Sequence, residues 1–231
     1  MNVLRTALVW LNDPLNWQGP QGVLALLRQH LAISAVAVGL GCLVSWPVAL
    51  WLAHVGRGGG FTVVLGNISR AVPVLALLTI FAVTPIGFGN RSTTLALSVF
   101  AIPPLLTNAY VGVREVDRDV VEAARGMGLS GWQVLSRVEV PLGLPLIFAG
   151  FRTAAVQVVA TATLAALVGG GGLGVVINNG FGQQDYPQVL AGAVLVAGLA
   201  VLTEALLAAT QSLVVPRLVT RLLSGGVGGV R

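Results

Sequence analysis

Long stretches with almost no charge dominate this sequence and constrain its fold more than any other feature. Five such runs occupy 31–53, 71–90, 92–113, 141–168 and 186–216. The first three carry no formal charge, and each of the last two carries a single charged residue. A bilayer core about 30 Å thick is crossed by a helix of about 20 apolar residues, and none of the runs alternates like a membrane β-strand. The sequence therefore predicts an all-α membrane protein of about five transmembrane helices.

The composition excludes several classes of protein. Charged residues make up 9% of the chain, whereas soluble domains carry roughly 25%. All thirteen basic residues are arginines, so the chain lacks the lysine that a Walker A phosphate loop or a Schiff-base enzyme requires. The arginines are dispersed between the apolar runs, which disfavours nucleic-acid binding. The single cysteine, Cys42, allows no intrachain disulfide and is expected to be a small buried residue.

The positions of the arginines predict the topology. Nine of the thirteen lie in the loops 54–70 and 114–140 and in the segment after residue 216, whereas the N-terminal segment and residue 91 account for three. Because arginine is enriched in cytoplasmic loops, the 114–140 loop and the C-terminus are predicted to be cytoplasmic and the N-terminus to lie outside. Residues 1–29 hold only a short apolar patch with Trp10, which is typical of an interfacial helix.

The 114–140 loop carries the strongest functional pattern. It contains five of the eight acidic residues and four arginines. Small apolar residues recur in it at helical spacing, which predicts a short amphipathic helix ending near Gly126 or Gly128. Ser130 with Gln133 fits a capping box that opens a second short helix, and Pro141 suits the first turn of the next span. The loop is therefore predicted to be a compact helical element.

The wording of this loop resembles the EAA loop of ABC importer permeases. Glu122-Ala123-Ala124 is followed by three residues, Gly128, nine residues and Val138-Glu139-Val140-Pro141. Valine stands at 138 and 140, where the family usually has isoleucine and leucine. The resemblance implies that the loop is a coupling helix that fits a groove on an ATPase subunit. Its expected coupling residues are Glu122, Ala123, Ala124, Gly128, Val138 and Pro141, with Ala123 and Ala124 allowing close approach.

The resemblance covers roughly residues 22–216 and is closest to the short permeases of osmoprotectant importers for glycine betaine, carnitine or choline. The stretches that carry it are 69–78, 150–155, 160–167 and 169–174. It implies the type I ABC importer permease (MetI-like) fold, with an interfacial segment 1–29, one permease domain 30–216 and a cytoplasmic tail 217–231. Methionine-type amino-acid permeases share parts of these stretches and are the alternative. A stand-alone secondary transporter or a membrane enzyme is a further alternative.

The resemblance also implies partners in a bacterial plasma (inner) membrane. These are two ATPase subunits, an extracytoplasmic substrate-binding protein and a second permease chain, either identical or a paralogue. ATP and Mg are expected on the ATPase, and this chain is expected to bind no cofactor and to be no enzyme itself.

Two other groups of residues resemble known sites less specifically. Gly169, Gly171 and Gly174 fit a dinucleotide-binding pattern, but no strand-crossover unit surrounds the glycine-rich segment, whose glycines are 169, 170, 171, 172 and 174. A turn between the last two spans is expected instead, and the resemblance places it near the translocation path as an outer gate. His30 and His54 flank the first run without partners at ligand spacing, so they are expected at the membrane edge and no metal site is predicted.

Two charges remain inside the predicted spans. Arg152 lies eleven residues after Pro141, and Glu204 lies twelve residues before Pro216, which corresponds to about 16 Å and 18 Å of helix. Antiparallel spans place these two residues at similar depth, and charges in such positions usually face protein or a water-filled cavity. We predict that Arg152 and Glu204 form an ion pair or share a polar network. The alternative is that each faces the aqueous pathway separately.

Overall fold

The computed structural model describes residues 3–225. The side chains of residues 63, 67–70 and 214–225 lie outside this description. The described residues form ten α-helices: α1 (Val3–Asn12), α2 (Val23–His54), α3 (Gly59–Ala71), α4 (Val74–Val83), α5 (Asn90–Arg114), α6 (Arg118–Gly126), α7 (Gly131–Val134), α8 (Val140–Thr161), α9 (Gly174–Gly182) and α10 (Tyr186–Gly225). Three tighter or wider helical turns join them at Pro14–Trp17, Leu135–Glu139 and Ala162–Val168.

Four helical stretches of the described chain are long and apolar enough to cross a bilayer. They are Val23–His54, Asn90–Arg114, Gly131–Val168 and Tyr186–Leu213. Prolines lie inside three of them, as the sequence predicts for packed membrane helices. The prediction of an all-α membrane fold is confirmed.

The run 71–90 forms a shorter helix than expected. Pro73 precedes α4, which spans ten residues and ends at Val83, just before Pro85. Such a helix is about 15 Å long, half of what a bilayer core requires. The prolines are responsible, because proline offers no backbone N–H and disfavours helix in the preceding residue. The preceding 54–70 segment, expected as a loop, contains most of α3.

The first long helix begins earlier than expected. α2 starts at Val23, so the predicted boundary between residues 29 and 30 falls inside a helix. At the N-terminus, α1 forms over the predicted apolar patch and ends at Asn12. Asp13 then accepts a hydrogen bond from the backbone of Leu15 at 3.0 Å and caps the following turn.

The chain divides into two compact units, and each is described here by itself. The first comprises Met1–Leu40, Val72–Ala101 and Ala155–Glu204, and the second comprises Gly41–Ala71, Ile102–Ala154 and Ala205–Arg231. The core of the first unit contains the buried residues Val23, Leu26, Leu173 and Val176. The core of the second is built by α2, α5, α8 and the turn that precedes α8, and its buried residues are Ala49, Ala53, Leu106, Ala109, Tyr110, Val113, Leu135 and Ile147.

Two glycines bring α5 and α8 into backbone contact within the second unit. A Cβ on Gly112 would lie 2.8 Å from the carbonyl oxygen of Gly143. A Cβ on Gly143 would lie 2.5 Å from the carbonyl oxygen of Gly112. Small residues allow this close approach of membrane helices, which is stabilised by van der Waals packing.

Candidate functional site

The predicted helical element of residues 114–140 is present, and local signals set its ends. Asp117 caps α6 by accepting a hydrogen bond from the backbone of Asp119 at 2.9 Å. Ser130 and Gln133 form both bonds of the predicted capping box at the start of α7. The sequence prediction of two short helices in this element is confirmed.

α6 ends in a left-handed turn at Gly128. The backbone N–H of Leu129 donates to the Ala124 carbonyl at 3.2 Å, and that of Gly128 donates to the Arg125 carbonyl at 2.9 Å. These bonds form a Schellman motif, which favours glycine at the left-handed position, and Gly128 has φ +86°. A Cβ there would meet nothing within 4 Å. The requirement for glycine therefore comes from backbone conformation and not from lack of space.

The 114–140 element has a small apolar core of its own. Its buried members are Val116, Val121, Ala124 and Val134, and Leu129, Val138 and Leu142 pack against them. Ala124 is only 3% exposed, so its small side chain serves close packing inside the element. The expected part of Ala124 in the close approach to an ATPase stays a prediction. Val138 likewise supports the element from within, and Pro141 is the second residue of α8.

The outer surface of the element combines small, acidic and large apolar residues. Glu122, Ala123 and Gly128 are exposed, as a docking surface requires. Met127 and Trp132 are 75% and 74% exposed. These two side chains were not among the residues predicted from the sequence. Large apolar residues near Gly128, in a loop that is otherwise charged, could have indicated an interface. Exposed aromatic and methionine side chains are enriched at protein interfaces.

Glu139, near the end of this element, forms a contact with His54 of α2. The Nδ1 of His54 lies 2.5 Å from Oε2 of Glu139. Glu139 is 1% exposed, and the ion pair or hydrogen bond satisfies a carboxylate that burial would otherwise destabilise. His54 therefore has a defined partner. It is the last residue of α2, and its expected place at the membrane edge stays a prediction.

The glycine turn, residues 169–174, is fixed by side chains from α2 and α5. The Asn90 side-chain oxygen accepts a hydrogen bond from the backbone of Gly171 at 2.7 Å. Gln29 accepts one from the backbone of Gly172 at 3.3 Å, and Nδ1 of His30 accepts one from Leu173 at 3.2 Å. None of these three contacts could be predicted from the sequence, because each side chain lies more than 80 residues from the amide it binds.

His30 is buried at the centre of this arrangement. It is 0% exposed, and its Nε2 lies 2.8 Å from the carbonyl oxygen of Val159. A carbonyl only accepts and an amide N–H only donates, so Nε2 carries the hydrogen and Nδ1 is left free to accept from Leu173. Both ring nitrogens are then satisfied by the neutral imidazole. His30 is thus buried inside α2, which extends beyond it to Val23, and its expected place at the membrane edge stays a prediction.

Several glycines of the turn also leave no room for a side chain. A Cβ on Gly174 would lie 1.9 Å from the carbonyl oxygen of Thr163, and one on Gly171 would lie 2.0 Å from the side-chain oxygen of Gln29. A Cβ on Gly170 would lie 2.7 Å from the hydroxyl oxygen of Thr93. Gly169 and Gly172 have φ +69° and +90°, which glycine adopts without strain. The turn is therefore determined by both contacts and conformation.

A comparison with known protein families identifies the family of this chain. Residues 41–219 match the family described as "Binding-protein-dependent transport system inner membrane component". The chain belongs to this family. As an inner membrane component it is a multi-pass membrane protein, and a transport subunit rather than an enzyme in its own right. The family also implies that it works with an ATPase and with a substrate-binding protein.

Individual relatives of this inner membrane component are permeases. The chain is 36% identical to the glycine betaine/carnitine/choline transport system permease protein OpuCB of Bacillus subtilis, over 82% of this chain and 87% of the relative. It is 37% identical to the carnitine transport permease protein OpuCB of Listeria monocytogenes, over 86% and 90%. A structure of the inward-facing MetNI methionine ABC transporter matches with a TM-score of 0.70 at 21% identity, over 85% of this chain and 95% of the other. At that identity the likeness concerns the fold alone.

One of the two intramembrane charges of this transport-system component has a described partner in its own unit. A guanidinium nitrogen of Arg152 lies 3.3 Å from the side-chain oxygen of Gln211. The amide nitrogen of Gln211 in turn donates to the carbonyl of Pro145 at 3.2 Å. Arg152 thus belongs to a polar network that links α8 to α10. The pairing of Arg152 with Glu204 stays a prediction.

Metal binding has no candidate site among the side chains that the structure describes. No group of three or more histidine, cysteine, aspartate or glutamate residues there could hold an ion.

Proposed function

We propose that this chain is the permease subunit of an ATP-driven importer for a quaternary-amine compatible solute such as glycine betaine, carnitine or choline. The observation that carries the substrate class is the similarity to relatives with these names at 36% and 37% identity over more than four fifths of the chain. The fold likeness to a methionine transporter does not carry a substrate, because it rests on 21% identity.

The proposed assembly contains two permease chains, either identical or paralogous, two ATPase subunits and an extracytoplasmic substrate-binding protein. The 114–140 element faces the cytoplasm with the C-terminus, and the N-terminus lies outside. ATP and Mg bind to the ATPase subunits. Closure of these subunits draws the two coupling elements together and turns the pore outward. The binding protein then releases its solute, and hydrolysis returns the pore inward.

The glycine turn acts as the outer gate in this proposal. Its support is the fixed geometry of residues 169–174 and their anchoring by Gln29, His30 and Asn90. A gate needs a defined closed position, and three hydrogen bonds from rigid helices supply one. Trp10 and Trp17 pack on the same hydrophobic cluster as Leu173, so the N-terminal segment supports the base of this turn.

The substrate proposal is tested by the ligand preference of the partner binding protein and by uptake. We expect that protein to bind glycine betaine, carnitine or choline, and proteoliposomes holding permease, ATPase and binding protein to accumulate the same solute. Liposomes that hold the permease alone should show no uptake. Selective binding of methionine or a sugar, without response to quaternary amines, would contradict the substrate class. Uptake by the permease alone would contradict the ATP-driven mechanism.

The role of the 114–140 element is tested by placing alanine at Gly128. In the left-handed conformation a residue with a Cβ is less stable than glycine by roughly 1–2 kcal/mol. If the turn opens to relieve this strain, the docking surface changes shape. Each 1.4 kcal/mol of binding free energy that is lost then lowers the affinity for the ATPase by about tenfold. We expect Gly128→Ala to lower the affinity of the purified permease for its ATPase, measured by titration. Gly126→Ala is the matched control, because its Cβ also meets nothing within 4 Å and its φ is not positive. Equal affinities for the two variants would refute the docking role of this turn.

A further inference from the structure

The buried carboxylate of Glu139 joins two segments that are distant in sequence. Glu139 ends the turn Leu135–Glu139 that leads directly into α8, and His54 is the last residue of α2. Their side chains meet at 2.5 Å across a sequence separation of 85 residues. Glu139 is 1% exposed, and removing the partner of such a buried carboxylate strongly destabilises the folded protein. The contact therefore fixes the end of α2 against the beginning of α8.

A wide helical turn, Leu135–Glu139, precedes α8 and ends at Glu139. The N–H of Val140 donates to the carbonyl of Leu135, five residues earlier, so this turn is one residue wider than an α-helical turn. Pro141 has no N–H and could not donate to Arg137 in a regular α-helix. Single wide turns of this kind occur frequently at functional sites. Here the wide turn ends at the residue that binds His54.

The other ring nitrogen of His54 lies near α7. A Cβ on Gly131, the first residue of α7, would lie 3.3 Å from Nε2 of His54. The next residue, Trp132, is 74% exposed and lies with Met127 on the surface of the element. The imidazole of His54 therefore lies near both α7 and Glu139. Because α7 leads directly into the turn that ends at Glu139, a movement of α7 is expected to reach the contact between Glu139 and His54.

We propose that His54 and Glu139 are positioning residues that transmit movement of the 114–140 element to α2 and thereby couple ATP hydrolysis to transport. This inference rests on the proposed function, in which an ATPase docks on the element. The pair itself contacts neither ATP nor solute. Its role is to make the end of α2 follow the element.

The coupling ratio measures this role directly. In proteoliposomes holding permease, ATPase and binding protein, we expect Glu139→Leu and His54→Ala to raise the ATP hydrolysed per glycine betaine transported by about fivefold or more, the lower range of typical coupling factors. His54→Gln keeps an N–H donor for Glu139, and Glu139→Gln keeps an acceptor oxygen for His54, so both should recover part of the coupling. Glu115→Gln is the control, since it removes an exposed charge from the same element, and it should leave the ratio unchanged. An unchanged ratio in Glu139→Leu would overturn the proposal.

Hydrogen exchange of the purified permease supplies a second readout that needs no substrate. We expect Glu139→Leu to accelerate exchange of backbone amides both at the end of α2 and in α7, because the contact with His54 holds α2 to the turn that follows α7. Faster exchange in only one of the two segments would overturn the link. If the parent importer transports none of glycine betaine, carnitine and choline, the proposed substrate class is wrong, while the exchange result still decides whether the two segments are linked. If His54→Ala does not fold, the Glu139→Leu variant decides alone.

Discussion

Gly174→Ala is expected to prevent the first unit from reaching its native packing. The new methyl group would lie 1.9 Å from the carbonyl oxygen of Thr163, 2.8 Å from its carbonyl carbon and 3.0 Å from its Cα. Backbone atoms cannot rotate away as a flexible side chain does, so the helix α9 must shift. Overpacking of this kind costs about 3 kcal/mol or more. The measurement is the midpoint of thermal unfolding of the purified permease in detergent, together with the yield of monodisperse protein.

Gly182→Ala is the matched control for this prediction. Gly182 ends the same helix that Gly174 begins, and a Cβ there would meet nothing within 4 Å. Alanine in place of glycine reduces the entropy of the unfolded chain, so the control should be unchanged or more stable by about 0.4–1 kcal/mol. Equal unfolding midpoints for the two variants would show that the contact between Gly174 and Thr163 does not limit packing.

His30→Ala is expected to release the glycine turn from α2. The substitution leaves the N–H of Leu173 and the carbonyl of Val159 without the imidazole that binds them. Each unsatisfied buried group costs about 1–3 kcal/mol, so the loss of stability should be about 2–6 kcal/mol before the cavity is counted. We expect a lower unfolding midpoint and faster hydrogen exchange at residues 170–174.

Two further variants separate hydrogen bonding from packing at this position. His30→Gln offers one donor and one acceptor on a planar group and should recover part of the stability. Gln29→Ala removes only the 3.3 Å bond to Gly172 and should cost less than His30→Ala. If His30→Gln and His30→Ala are equally unstable while exchange in the turn is unchanged, His30 merely fills space.

Local features of this chain could be predicted from sequence, because their causes lie within a few residues. The capping box of Ser130 and Gln133 and the left-handed stop at Gly128 depend on contacts between close neighbours. The apolar runs predict membrane helices for a similar reason, since length and charge are sufficient. The 71–90 run shows where this reasoning fails. Hydropathy alone does not register that Pro73 and Pro85 limit the helix between them to ten residues.

Contacts between distant segments could not be predicted in this way. Nothing in the sequence around His30 indicates that it binds the backbones of Val159 and Leu173, which are 129 and 143 residues away. The burial of Glu139 was equally unforeseeable, because it lies in a charged loop whose other acidic residues are exposed. The family resemblance located the functional loop, but the assignment of Ala124 to its interior required the packed structure.

The reciprocal contact of Gly112 and Gly143 also restricts how this sequence can change over generations. Each position is occupied up to the carbonyl oxygen of the other, and no amino acid is smaller than glycine. A first substitution at either position therefore cannot be compensated by a second one at its counterpart, as happens when a large and a small core residue exchange sizes. We therefore expect neither glycine to be replaced unless the distance between α5 and α8 also changes.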